Sequence, residues 1–161
     1  MHEQPEQPAL HIVSGGQTGV DRAALDIALR HGLPIGGWCP KGRLAEDGPV
    51  SPAYPLKETP SSAYEERTRW NVRDSDGTLV LSWGAPEGGT AFTIACTRLE
   101  EKPCLVLDLL EEPQVETAAA WLKSHGIRVL NIAGPRGSTS PDLYPATMAF
   151  LDSLFAALAR P

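Results

Sequence analysis

Three glycine-bearing stretches hold residues whose types and spacing could do chemistry. The first is Ser14-Gly15-Gly16-Gln17-Thr18-Gly19-Val20-Asp21-Arg22. Glycine adopts positive φ and lets a ligand approach the backbone closely. The amides that open a helix lack intrahelical acceptors, and together with the helix dipole they suit an anion such as phosphate. Gln17 and Thr18 add side-chain hydrogen bonds. The run is neither G-x-G-x-x-G nor a Walker A loop, because the G-K-[ST] ending is missing. A tight strand-to-helix turn with Asp21 as dipole partner would use the same residues. The second stretch, Trp83 to Thr93, again opens a helix on a glycine pair, Gly88-Gly89, with Thr90 and Thr93 one turn apart on one face. The third, Gly134-Pro135-Arg136-Gly137-Ser138, places Arg136 where a bidentate contact to phosphate or carboxylate is possible.

Two further stretches supply charge and polar edges. Gly37 to Gly48 carries Trp38, Cys39, Lys41 and Arg43. Trp38 could stack on a flat ring; no histidine lies near Cys39 in sequence, so an inert thiol is the simpler reading. Tyr64, Arg67, Thr68 and Asn71 share one helix face by their spacing. That face is polar where a helix packed on a sheet needs apolar residues, which fits a stripe pointing at a site. Asp74-Ser75-Asp76-Gly77 then enters a strand, as a capping turn or as a reader of polar edges. Six of the 14 basic residues fall between Lys41 and Arg73, a local excess in a chain of net charge −6. The four histidines show no metal-ligand spacing, and no G-x-S-x-G element occurs.

The elements that must position these loops alternate. Short apolar runs at 10–14, 34–39 (the weakest), 78–83, 104–109 and 128–133 read as strands. Four of them lack strict alternation, as strands buried on both faces do. Helical patterns lie at 20–31, 62–73, 89–100, 114–125 and 141–159, with Gly32 and Gly126 as stops and Pro113 before the fourth. The expected fold is α/β: a Rossmann-like three-layer sandwich on a mostly parallel sheet of about five strands with right-handed crossovers. Ligands on such sheets bind beyond the strands' carboxyl ends, where the three glycine stretches fall. The connection 40–60 has five prolines and no periodicity, as functional or disordered connections do.

Length and composition bound the rest. A chain of 161 residues, 42% hydrophobic and 21% charged, is one ordinary globular unit. We expect a disordered tail at 1–8 and a single domain at 9–160. The tail lacks the apolar core of a signal peptide, and no apolar run is long enough to span a bilayer. The acidic balance argues against nucleic acid and anionic membranes. Three cysteines without C-x-x-C fit a reducing, cytoplasmic setting.

Assembled, these loops resemble the family called putative molybdenum carrier proteins, a YpsA-related branch of the SLOG superfamily. The matching stretches include Gly15-Gly16-Gln17-Thr18-Gly19-Val20-Asp21-Arg22, Gly37-Trp38-Cys39-Pro40-Lys41-Gly42-Arg43, Ala45-Glu46-Asp47-Gly48, Asn71-Val72, Asp74-Ser75-Asp76-Gly77-Thr78, Gly88-Gly89-Thr90 and Asn131-Ile132-Ala133-Gly134-Pro135-Arg136. The resemblance implies a homo-oligomer, dimer or tetramer, that holds a small anionic ligand: a phosphorylated pterin or nucleotide-like molecule, with molybdenum cofactor as cargo. The expected ligand contacts are Gly15, Gly16, Gln17, Thr18, Gly19, Asp21, Lys41, Arg67, Asn71, Asp74, Gly88, Gly89, Thr90, Thr93, Arg136 and Ser138. The related LOG enzymes, which cleave the N-glycosidic bond of a nucleotide, carry P-G-G-x-G-T-x-x-E. Here the acidic position of that motif is Thr93, which cannot act as a carboxylate. Phosphoribohydrolase activity therefore stands as the alternative, with Asp21 or Asp74 as the replacement acid.

Overall fold

The computed structural model describes residues 10–160; the tail expected at 1–8 lies outside them. The chain runs β1 (His11–Val13), α1 (Val20–Arg30), β2 (Ile35–Gly36), β3 (Trp38–Cys39), β4 (Lys57–Glu58), α2 (Tyr64–Arg73), β5 (Gly77–Ser82), α3 (Gly88–Leu99), β6 (Cys104–Asp108), α4 (Val115–Ser124), β7 (Val129–Ala133) and α5 (Leu143–Leu158). Short 3₁₀ turns at Leu109–Glu111 and Gly137–Thr139 follow β6 and β7. Five strands form one parallel sheet in the order β2-β1-β7-β5-β6. The chain leaves β1 toward one edge and returns through β5 toward the other. The order therefore switches around β7, which lies between them, and a crevice opens at the carboxyl ends there. This is the expected Rossmann-like three-layer architecture.

Side-chain alternation gives the sheet two unlike faces. One face sends Ile12, Leu79, Leu81, Leu130 and Ile132 into the main core, where they meet Ala24, Ile27 and Ala28 of α1 and Leu151, Leu154 and Phe155 of α5. Helices α1, α4 and α5 cover this face; α2 packs on α3 over the other. The second face is polar at its centre. Thr78 and Asn131 are buried there, and Asn131 Nδ2 donates to Thr78 Oγ1 at 3.2 Å. In keeping with that face, α2 buries only Asn71 and Val72, whereas α1 buries seven of its 11 residues. Helix α1 stops as its sequence implies: Gly32 takes φ 69°, and the Leu33 amide reaches back to the Ala28 carbonyl at 2.9 Å.

The weakest expected strand, 34–39, divides. Its first half joins the sheet as β2, and its second half peels away as β3 to pair in parallel with β4, Trp38 opposite Lys57. Gly37 makes the break. It takes φ 125°, and a Cβ there would stand 2.4 Å from the Ser14 carbonyl oxygen. Asn71 then fixes the displaced strand, accepting from the Trp38 amide at 2.8 Å and donating to the Trp38 carbonyl at 2.9 Å. The proline-rich connection is ordered around Arg43, whose guanidinium donates to the carbonyls of Val50, Ser51, Tyr54 and Leu56. Val50 and Leu56 close a small core with Leu25 and Cys39. Among the described residues no helix is long and apolar enough to cross a membrane.

Candidate functional site

A cavity of about 900 Å³ opens at the carboxyl ends of β1, β7 and β5. All three glycine stretches reach it, and so does the polar stripe of α2. Its lining includes Gly15, Gln17, Asp21, Arg67, Asn71, Gly88, Gly89, Thr90, Thr93 and Arg136. The other expected contacts, Gly16, Thr18, Gly19, Lys41, Asp74 and Ser138, are not among its lining residues, and the reasons are specific to each loop.

In the loop after β1 the glycines serve the protein's own packing. A Cβ on Gly16 would stand 2.7 Å from Leu56 Cδ1, and one on Gly19 would stand 2.5 Å from the Pro135 carbonyl oxygen. Gly15 makes room for the Arg67 guanidinium, which donates to its carbonyl at 2.9 Å. Three amides of the turn are already bonded: Gln17 to Asp21 Oδ2 at 3.3 Å, Thr18 to Gln17 Oε1 at 3.0 Å, and Val20 to the Pro135 carbonyl at 3.2 Å. Asp21 is thus an internal anion at the start of α1. It lies 3.7 Å from Arg67 Nη1, both side chains being nearly buried. Burial pushes its carboxyl above the usual range, against the opposing pull of Arg67.

The loop after β7 also holds a carboxylate of the chain. Glu46 accepts from the Thr18 hydroxyl, from the Ser138 amide at 2.9 Å and from the Ser138 hydroxyl at 2.8 Å, with Arg136 Nε at 3.9 Å. Hydrogen bonding, first from Thr18, holds Glu46 below its ordinary pKa. Thr18 and Ser138 are therefore committed to Glu46, while Arg136 remains mostly exposed at the cavity rim.

The loop after β5 differs. Glu87 caps α3 with its carbonyl, which accepts from the Thr90 and Ala91 amides at 3.0 and 3.2 Å, but its carboxylate makes no cap bond. Among the described residues the amides of Gly88 and Gly89 have no acceptor. A Cβ on either glycine would meet nothing within 4 Å. Thr93 donates to the Gly89 carbonyl at 3.0 Å, which steadies the turn from inside the helix. Tyr64, Trp83 and Phe92 add aromatic surface to the cavity.

The local excess of basic residues is largely spent on structure. Arg43 organises its loop. Arg73 pairs with Asp74 at 2.8 Å and lies over the Trp70 ring, Lys57 lies over Trp38, and Arg69 lies over Phe92. Lys41 is exposed. Of these six residues only Arg67 lines the main cavity. Asp74 accepts from Trp38 Nε1 at 2.9 Å and lines a separate cleft of about 300 Å³ with His11, Lys57 and Asn71. The cysteines are unpaired, and burial pushes all three thiols up, which makes them poor nucleophiles. Sequence reasoning did not place Glu65, Glu87 or Asn131 in the site. The signal for Asn131 was present: a carboxamide in the middle of an apolar strand, Val129–Ala133.

A family model described as "Circularly permutated YpsA SLOG family" matches residues 12–155. The chain belongs to that family. It is also 52% identical to a protein from Syntrophus aciditrophicus SB whose crystal structure is named "Putative molybdenum carrier protein". That match covers 93% of this chain and 97% of the other, with a TM-score of 0.86. No curated protein matches the chain. In this SLOG chain the motif glycines therefore divide by task, those after β1 closing the fold and those after β5 facing the cavity.

Proposed function

We propose that the cavity binds one small anionic molecule, a phosphorylated pterin or nucleotide-like ligand, with its phosphate on the α3 N-terminus. The observation that carries this reading is the pair of open amides at Gly88 and Gly89, beside buried Thr90 and within a cavity that Arg136 also lines. The two neighbouring loops already hold carboxylates of the chain at their polar ends. Only the third leaves room for an anion from outside, and a helix start favours one. A volume of about 900 Å³ suits a ligand of nucleotide size, and the aromatic lining suits a flat ring. Molybdenum cofactor is the cargo this reading favours, by the name of the similar protein. Among the described residues no group of three or more His, Cys, Asp or Glu could hold a metal ion. The protein would accordingly grip pterin and phosphate and leave the metal to the pterin's own dithiolene. A cytoplasmic homo-oligomer is the setting that goes with this role.

Calorimetry with nucleoside monophosphates and neopterin monophosphate tests the reading. Gly89→Val should weaken binding at least tenfold at an unchanged melting temperature, because its side chain enters open space where the phosphate must sit. Equal affinity in the variant would count against the site. A hydrolytic reading draws on one observation, the buried Asp21 carboxyl beside Arg67 at the cavity wall. It requires free base to appear when the protein is incubated with nucleoside monophosphates.

A further inference from the structure

The cavity is not uniformly attractive to an anion. Arg67 and Arg136 line it, but so do Asp21, Glu65 and Glu87. Asp21 is the unusual member, a carboxylate only 6% exposed that still lines the cavity wall. Its Oδ2 accepts from the Gln17 amide at 3.3 Å and faces Arg67. Its Oδ1 has no donor among the described side-chain hydrogen bonds. A nearly buried acceptor left open at a cavity wall is costly unless a ligand supplies the donor.

The topology fixes how far this acceptor lies from the anion cradle. Asp21 stands beyond β1, and Gly88 and Gly89 stand beyond β5, with β7 alone between those strands. Two strand spacings amount to about 10 Å, the reach of a nucleoside monophosphate from its phosphorus to the far edge of its base. The aromatic residues of the wall lie along α2, α3 and the end of β5.

Resting on the reading above, we propose that Asp21 is a specificity determinant that selects a 2-amino-4-oxo ring, the edge shared by guanine and pterins. Such a ring presents a ring N–H and an exocyclic NH₂ side by side, and a carboxylate accepts two adjacent donors in that geometry. Adenine turns a lone pair toward the same acceptor, and hypoxanthine lacks the amine. The ligand is thus anionic at the α3 end and rich in donors at the α1 end, which accounts for acid and base lining one cavity.

The test is calorimetry on the full chain with GMP, IMP, AMP, XMP and neopterin monophosphate. GMP and neopterin monophosphate should bind about tenfold more tightly than IMP, the difference expected of one hydrogen bond to a charged group, and AMP should bind more weakly than either. Asp21→Asn should reverse the order, because the new amide N–H can donate to the 2-oxo group of XMP. A wild-type protein that binds IMP or AMP as tightly as GMP overturns the assignment of Asp21 while leaving the phosphate on α3. Absence of binding by all five compounds overturns both. A folded variant that keeps the preference for GMP also overturns it. Should Asp21→Asn fail to fold, the wild-type ratio of GMP to IMP decides alone.

Discussion

The turns after β1 and after β5 look alike in sequence, each a glycine group opening a helix, yet they do opposite work. After β1 the missing side chains let protein atoms close on one another: Leu56 over Gly16, Pro135 over Gly19 and Arg67 over Gly15. After β5 the missing side chains leave space. The difference follows from where negative charge is supplied. The first turn is served by Asp21 and the neighbouring loop by Glu46, both from the chain itself. The second has no such residue, because the Glu87 carboxylate makes no cap bond. A glycine-rich helix start is thus a socket only where the protein has not already filled it.

The largest effect that sharpens this contrast belongs to the internal anion. Arg67→Ala leaves Asp21 buried without its partner, and removing one member of a buried pair costs about 3–5 kcal/mol. Thermal denaturation should show the loss, and adding Asp21→Asn should restore part of it. If Arg67→Ala melts with the wild type, the pair is not what closes the first turn. Next in size comes Gly19→Val. It places a branched residue at φ 80° against the backbone of Pro135. Left-handed strain of about 1–2 kcal/mol and overpacking of about 1–3 kcal/mol together lower the melting temperature by about 10 °C for a chain of this size. Gly89→Val, by the same measurement, should melt within about 1 °C of the wild type. Matching losses in the two variants would erase the distinction between the turns.

The sheet, its five strands and its five flanking helices were legible because strands buried on both faces and helices stopped by glycine write themselves into adjacent residues. What was not legible depends on contacts distant along the chain. Nothing near Gly16 announces that Leu56 will cover it, and nothing near Arg43 announces that its guanidinium will collect four carbonyls from residues 50–56. The concentration of positive charge from Lys41 to Arg73 was therefore read as facing an anion, whereas stacking and pairing consume most of it. The division of 34–39 into β2 and β3 depends likewise on Asn71, 33 residues beyond the strand it clamps. Glycine position is visible in a sequence; what faces the glycine is not.

The smallest effect tests the Glu46 latch. Its folded pKa lies below the ordinary 4.5, with the Thr18 hydroxyl as the first cause. A depressed carboxyl contributes stability above its unfolded pKa and loses that contribution as pH falls through the folded value. Glu46→Gln should therefore lower the melting temperature slightly at neutral pH, and the gap to the wild type should close as pH drops below about 4.5. The side chain is a quarter exposed, so solvent screening keeps the effect small. The loops after β1 and β7 are the ones this latch joins, and the loop after β5 is not. Hydrogen exchange at neutral pH should accordingly quicken in Glu46→Gln at Thr18 and Ser138 and stay unchanged at Gly88 and Gly89. Faster exchange at all three loops would mean that the turn after β5 depends on the same internal charge, and the contrast between socket and closed turn would be lost.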